Sequence, residues 1–378
     1  MADYADRALA QHKLLRGKIA LRLKDDLDTI DKLSLYYTPG VAAVSSYLAI
    51  HPEKTRDYTW TNNLIAVISD GSAVLGLGNL GPAGALPVME GKAMLFKHFA
   101  NIDAVPLVLD VHTPDEIVAA IQAIAPSFGG INLEDIAAPQ CFEIEERLKA
   151  SLNIPVMHDD QHGTAIVTLA GLINACKVTG RQLKDSKIVT VGSGAAGTAI
   201  MKLLYKYAQP EIIAVDSKGI ISKDRQDLNP EKTQLLDITN HDDLSGSLAD
   251  ALHDADIFIG VSQPGLLTPT LIASMAAQPI VFALANPQPE IMPDVAKAAG
   301  VTVMATGRSD FPNQVNNALV FPGIFRGALD NQVTAITDTH KLAAAEVIAG
   351  LVDSPSNDNI IPPVGDPRLV PAIAAVII

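Results

Sequence analysis

Short runs of apolar, largely β-branched residues alternate along this chain with stretches whose apolar positions recur at helical spacing, and Gly, Pro, Asn and Asp separate the two kinds. Residues 64–69, 105–109, 130–133 and 154–157 read as buried strands. Between them Thr113-Pro114-Asp115-Glu116 opens a helix: Thr113 caps it, Pro114 fits the first turn and Glu116 completes a capping box. A long apolar helix is expected from Thr164 to Thr179, ended by Gly180. A second series of strands follows at 187–191, 212–215, 257–261, 280–283 and 301–304. Strands that alternate with helices predict an α/β fold: an N-terminal α/β domain followed by a doubly wound, Rossmann-type parallel sheet. The boundary is expected in 157–164, giving domains 1–158 and 159–378. No internal repeat or low-complexity segment interrupts the pattern. Residues 354–366 read as a surface loop, and the last residues as a short apolar tail.

The length of 378 residues suits two cores, and 48% hydrophobic against 19% charged residues is a globular composition. No apolar stretch reaches the roughly 18 to 20 residues of a membrane span. The N-terminus, with Asp3 and Asp6 flanking Tyr4, lacks the order of a signal peptide, so a cytoplasmic location is expected. Cys141 and Cys176 have no CxxC spacing and read as reduced, helix-borne packing residues. A net charge of -14 disfavours nucleic acid and anionic membranes as partners, which leaves a small molecule.

The segment Gly192-Ser193-Gly194-Ala195-Ala196-Gly197 sets GxGxxG between an apolar strand and a helical run. Gly192 permits the tight turn, Gly194 lets backbone approach a pyrophosphate, and Gly197 lets the helix pack against the strand. The helix N-terminus offers N–H groups to the phosphates. Asp216, 24 residues after Gly192, stands where a ribose-binding carboxylate belongs. It favours NAD over NADP by repelling a 2′-phosphate, and Lys218 nearby can offset that repulsion, so NADP stays open.

Glu134-Asp135 and Asp159-Asp160 each follow a predicted strand, and in a parallel sheet such positions gather at one edge. Four converging carboxylates suit a hard divalent cation such as Mg²⁺ or Mn²⁺; the alternative is two ordinary acidic loops before helices. His158 and His162 bracket the second pair without zinc-ligand spacing, and read as loop or supporting residues. Tyr37, on the Thr38-Pro39-Gly40 turn, either presents a phenolic proton or packs under the loop. Lys92, in an otherwise apolar helix, either extends to water or is buried with a lowered pKa that suits a general base. Asn286 and Asn317 either cap turns or hold a substrate carboxylate without adding charge.

Taken in order, several blocks resemble the malic enzyme family, in its short bacterial form. They are Tyr37-Thr38-Pro39-Gly40-Val41-Ala42, Asp70-Gly71 with Gly76-Leu77-Gly78-Asn79-Leu80-Gly81, Met89-Glu90-Gly91-Lys92, Leu133-Glu134-Asp135 and His158-Asp159-Asp160-Gln161-His162-Gly163-Thr164. The glycine loop, Ala285-Asn286-Pro287 and Asn316-Asn317-Ala318-Leu319-Val320-Phe321-Pro322-Gly323 continue the match along nearly the whole chain. The resemblance implies NAD-linked oxidative decarboxylation of L-malate to pyruvate. It implies Tyr37 as general acid, Lys92 as general base, Glu134, Asp135 and Asp160 as metal ligands, and Asp159 as a supporting catalytic group. Asn286 then meets both substrate and cofactor, Asn317 the substrate, and a homodimer is expected, with the Tyr37 loop a candidate to complete the neighbour's site. Larger relatives carry an arginine soon after the Asp70-Gly71 block; this chain has Ser72-Ala73, an absence that short bacterial relatives share. The C-terminus also stops soon after Asp366-Pro367-Arg368, earlier than the family pattern. A malolactic enzyme, which reduces the pyruvate onward to lactate, is the nearest rival. A catalytically inactive dinucleotide-sensing module is a rival of another class, and retention of Lys92, Tyr37 and the four carboxylates together argues against it.

Overall fold

The run Leu64–Ser69 is buried at every position, as a strand covered on both faces must be. In the computed structural model, which describes residues 2–378 with side chains from Tyr4 onward, this run is β1 of a parallel four-stranded sheet. The others are β2 (Asp103–Val108), β3 (Gly130–Leu133) and β4 (Val156–His158), in the order β2-β1-β3-β4. Pro106 cannot donate to a ladder and is tolerated because β2 lies at the edge. The second sheet contains β5 (Lys187–Val191), β6 (Glu211–Asp216), β7 (Gly219–Ile220), β8 (Ile257–Gly260), β9 (Ile280–Ala283) and β10 (Val303–Thr306). Its order is β10-β9-β8-β5-β6-β7, parallel throughout except that β7 runs antiparallel to β6. The chain is thus the expected α/β protein with a Rossmann-type doubly wound sheet.

The main helices are α1 (Ala2–Leu15), α2 (Ile30–Tyr36), α3 (Val41–Ile50), α4 (Gly81–Ala100) and α5 (Pro114–Ile124). They continue with α6 (Gln140–Ser151), α7 (Asp159–Thr179), α8 (Ala195–Ala208), α9 (Phe321–Asp330) and α10 (Asp338–Gly350). The Thr113 capping box forms as expected, and Gly180 ends α7 with φ 69°. Helix α7 starts at Asp159, earlier than the expected Thr164, because the acidic pair itself makes the first turn, where negative charge meets the positive end of the helix dipole. The expected strands at 154–157 and 301–304 lie one or two residues further on, as element ends commonly do. The apolar tail is not a free tail. Leu369–Ala374 is a short helix, and Ile373 and Ile377 are fully buried. Asp3, part of the acidic N-terminal pattern, lies outside the residues whose side chains are described.

No helix among the described residues is long and apolar enough to cross a membrane. Cys141 and Cys176 are buried and unpaired, and burial pushes their thiols up to about 12 and about 11, so both stay protonated.

The chain passes between the sheets twice. Helix α7 leads from β4 to β5, and after β10 the chain returns so that α9 packs on α4 of the first half. Phe96 of α4 meets Phe321 and Phe325 of α9 with ring centroids 4.6 and 5.4 Å apart, all three fully buried. One apolar cluster therefore includes β1 residues Ile65 and Val67 as well as β5 and β8 residues Ile188 and Ile259. Phe96→Ala is expected to destabilise the protein by about 3 to 5 kcal/mol, measured as a lowered urea midpoint, because it empties the contact that holds the return crossing in place.

Candidate active site

In each sheet the strand order reverses about a central strand, the place where parallel sheets generally form a crevice beyond the carboxyl ends of their strands. In the first sheet the reversal lies between β1 and β3. Asp70-Gly71 leaves β1 and Glu134-Asp135 leaves β3, and the two loops interlock: Ala73 donates its N–H to the Asp135 carbonyl at 2.9 Å and Leu75 to the Asp135 carboxylate at 3.1 Å. Asp135 itself has φ 53°, which turns the chain sharply after the strand. Asp159 and Asp160 arrive beside it from β4 and α7, and Asp160 accepts the Asp135 N–H at 2.7 Å. The two acidic pairs therefore converge.

Helix α4 brings Lys92 into this group. Its buried face runs through Ala85, Met89, Lys92, Ala93 and Phe96, a helical stripe in which the lysine occupies a core position. The Lys92 ammonium lies 2.7 Å from Glu134 and 2.5 Å from Asp159, and 4.2 Å from the centre of the Phe321 ring. Of the two environments open for Lys92, the buried one is the observed one, but the pKa moves the opposite way from a free base. Burial pushes it down; Asp159, Glu134 and Asp160 outweigh that and hold the ammonium above its ordinary value. The carboxylates respond to the same crowding. Burial raises Glu134 well above the ordinary range, with Lys92 opposing and Asp160 reinforcing. Burial and then Asp160 push Asp135 up to about 7. Burial raises Asp159 to about 6 against the pull of Lys92.

One positive group faces four acids, so the cluster is short of cationic charge, and a hard divalent cation fits an all-oxygen donor set of this kind. Asp135 Oδ2 is buried and has no partner. Among the described residues, no three His, Cys, Asp or Glu side chains are gathered as ready-made metal ligands. Lys92 instead neutralises Glu134 and Asp159 directly.

The reversal in the second sheet lies between β5 and β8, and the glycine loop spans it. A Cβ on Gly192, at φ 107°, would lie 2.7 Å from the Val261 carbonyl oxygen, and one on Gly197 would lie 1.8 Å from the Gly192 oxygen. Both positions admit only glycine. Ser193, Gly194, Ala195 and Ala196 complete the turn into α8. Asp216 ends β6 as expected, but it is fully engaged. Oδ1 accepts from Arg225 at 2.8 Å and from the Lys218 N–H at 2.9 Å; Oδ2 accepts from Arg225 at 3.0 Å and Lys232 at 2.6 Å. Burial opposes ionisation of Asp216, and these bonds overcome it, bringing the carboxyl down to about 2.

Asn317 lies near Asp159 and favours its ionised form, while Asp159 Oδ1 is buried without a hydrogen-bond partner. Asn286 lies at an exposed cis peptide bond with Pro287, next to Gly307 and across from Gly76 of the first half. Tyr37 is not brought into contact with Lys92. Its side chain is 67% exposed, at the end of α2, and neither α2 nor α3 buries any residue. Sequence patterns missed two supports. Glu145 on α6, 5% exposed, accepts the His158 N–H at 2.8 Å and contacts Lys149 and His162 at 2.8 Å each, which fixes the start of α7. Glu290, fully buried, accepts from the N–H groups of Ser262 and Ala285 and ties β8 to the Asn286 loop. Their only sequence signal is an acidic residue within an otherwise apolar stripe or at a loop end.

Residues 18–149 match the malic enzyme N-terminal domain and residues 161–378 the malic enzyme NAD-binding domain. A bifunctional malic/malolactic enzyme of Bacillus subtilis is 53% identical over 98% of this chain and 91% of its own length. An NAD-dependent malic enzyme of Geobacillus stearothermophilus is 51% identical over 100% and 79%, and an NADP-dependent malic enzyme of Halomonas elongata is 49% identical over 92% and 82%. The crystal structure of the NAD-dependent malic enzyme of Thermotoga maritima superposes with a TM-score of 0.95 at 48% identity, covering 98% of each chain. With a buried lysine among carboxylates at one crevice and a glycine loop at the other, on a fold these relatives share along its length, the chain belongs to the malic enzyme family.

Proposed function

We propose that this protein catalyses the oxidative decarboxylation of L-malate to pyruvate and CO₂ with NAD as the preferred acceptor. The observation that carries the reading is Lys92, buried between Glu134 and Asp159 where the first sheet reverses its order. Lys92 receives the proton of the malate hydroxyl. To do so it must first give up its own, and Asp159 at 2.5 Å is the group placed to take it. Asn286 and Asn317 orient the substrate carboxylates through neutral amides, which adds no charge to a crowded acidic site. Glu134, Asp135 and Asp160 would hold a Mg²⁺ or Mn²⁺ ion, which when bound supplies charge stabilisation at the oxidised carbon's oxygen. Gly192–Gly197 would hold NAD, which when bound would supply the two-electron acceptor. Tyr37 returns a proton to the enol carbon after CO₂ leaves.

In this reading residues 1–158 form the substrate and metal half, residues 159–378 the dinucleotide half, and the enzyme works in the cytoplasm as a homodimer. Support for the dimer comes from the first fifty residues. Leu21, Leu23, Ile30, Leu35, Tyr37 and Ile50 are more than half exposed, an apolar surface that a second copy would cover. A second copy would also give Tyr37 a route to an active site. The malolactic reading remains the second, because the Bacillus subtilis relative carries both activities in its name.

Incubation with L-malate, NAD and Mn²⁺ is expected to yield NADH, pyruvate and CO₂ in equal amounts, and EDTA to suppress all three. Lactate equal to CO₂ with no net NADH would establish malolactic chemistry instead. Lys92→Ala should lower turnover by about 10² to 10⁴ while leaving NAD affinity unchanged. Near-normal turnover of that variant would remove Lys92 from the mechanism.

NAD is expected to be preferred over NADP, by a margin that the cations on Asp216 reduce. Asp216→Ser, which removes a negative charge and releases Arg225 and Lys232, should shift the ratio of kcat/KM values toward NADP. A parent enzyme that already prefers NADP would reverse this assignment. Gly197→Ala should weaken NAD binding by about tenfold or more, read by calorimetry, because its Cβ collides with the Gly192 carbonyl. Unchanged affinity would show that the loop does not hold the cofactor.

A further inference from the structure

Behind the starts of α7 and α8, helices α6, α7, α8 and α10 line an open cavity of about 340 Å³, within the roughly 300 to 1,000 Å³ of small-molecule sites. Lys149, Lys202, Lys206 and Lys341 line it, together with Gln161 and His162 of α7. The cavity holds more donors than acceptors. Lys206 and Lys341 share the one carboxylate of Asp338, at 2.6 and 3.0 Å. Lys149 shares Glu145 with His162 and with the His158 N–H. Lys202 has no ion-pair partner among the described residues. Gln161 is 4% exposed, and its amide nitrogen is buried without an acceptor. Lys341 is 7% exposed, and burial pushes its pKa below the ordinary value. Lys202 and Lys206 are exposed at the rim, whereas the buried donors of Gln161 and Lys341 are costly to leave without enough acceptor oxygens. With Glu145, Glu146 and Asp338 counted against the four lysines, the lining keeps one positive charge.

We propose that this cavity binds a small dianion, a phosphate or a dicarboxylate, and that its occupancy is felt at Asp159 and Asp160 through Glu145. The linkage is short. Glu145 grips both Lys149 at the cavity and the backbone of His158, the residue before Asp159. An anion that draws Lys149 toward itself changes what Glu145 holds, and with it the setting of the first turn of α7. This second half rests on the reading of Asp160 as a metal ligand; the binding half does not.

Calorimetric titration of the full chain in the presence of NAD, once with inorganic phosphate and once with succinate, separates the sources. Saturable binding of one of them, weakened at least about tenfold in Lys202→Glu and in Lys341→Gln, is expected. Lys202 is exposed, so its variant keeps the fold even if the buried Lys341 variant does not. Absence of binding in both titrations overturns the site. So does binding that survives Lys202→Glu, and for succinate such binding that disappears in Lys92→Ala belongs to the catalytic crevice. The anion that binds should also move the Mn²⁺ concentration for half-maximal malate oxidation by about twofold in the parent and not in Lys202→Glu. Binding without that shift overturns the linkage alone, and a protein inactive on malate still answers the binding question.

Discussion

A lysine in a protein core needs anionic company, and carboxylates packed together need a cation; the site of this protein is the mutual solution of those two requirements. Lys92 occupies a core position on α4, and Glu134 and Asp159 in direct contact, with Asp160 nearby, make its burial tolerable. Those acids can be there because β3 and β4 end at the same edge, and because Asp135 turns the chain with a positive φ. Remove the lysine and the strand ends face one another with unscreened charge. The fold of the first half and the chemistry proposed for it thus rest on the same few contacts.

The second half meets its charge differently. Asp216 stands where a ribose acid is expected, yet each of its oxygens already accepts two hydrogen bonds. A carboxylate has about four acceptor positions, so none is spare while the two cations remain in place. Its effect on the cofactor is therefore exerted together with Arg225 and Lys232, as one cluster. A single acidic residue in a sequence gives no hint of such saturation, because Arg225 and Lys232 lie 9 and 16 residues further on with no regular spacing.

That contrast marks what was legible beforehand. The buried strands were readable because continuous β-branched runs have few alternatives, and the glycine loop because two of its positions exclude any Cβ. Convergence of the acid pairs followed from strand-end geometry. The direction of the Lys92 shift did not, since it depends on distances to carboxylates some 40 and 70 residues away. The start of α7 is hidden in the sequence because the apolar pattern begins at Thr164 while dipole stabilisation begins at Asp159. Glu290 and the bond of Glu145 to His158 are hard to read because they act on backbone N–H groups, which carry no residue identity; the Glu145–Lys149 pair, four residues apart, is readable but looks like an ordinary surface pair. Tyr37 matches a family position, but its exposed setting, out of contact with Lys92, shows that a motif does not by itself place a side chain at the site.

The two passages of the chain between the sheets have a mechanical consequence. Bodies joined at one point can swivel in any direction, whereas bodies joined at two are confined to rotation about the line through both. Helix α7 is one join, and the return after β10, pinned by Phe96, Phe321 and Phe325, is the other. The rotation that remains would have to shear one apolar cluster that runs through both sheets, so the halves are held as a single packed unit. Asp159 and Asp160 lie at the root of the α7 join itself, so the contacts that fix the halves against each other also fix the spacing of Lys92, Glu134 and Asp159.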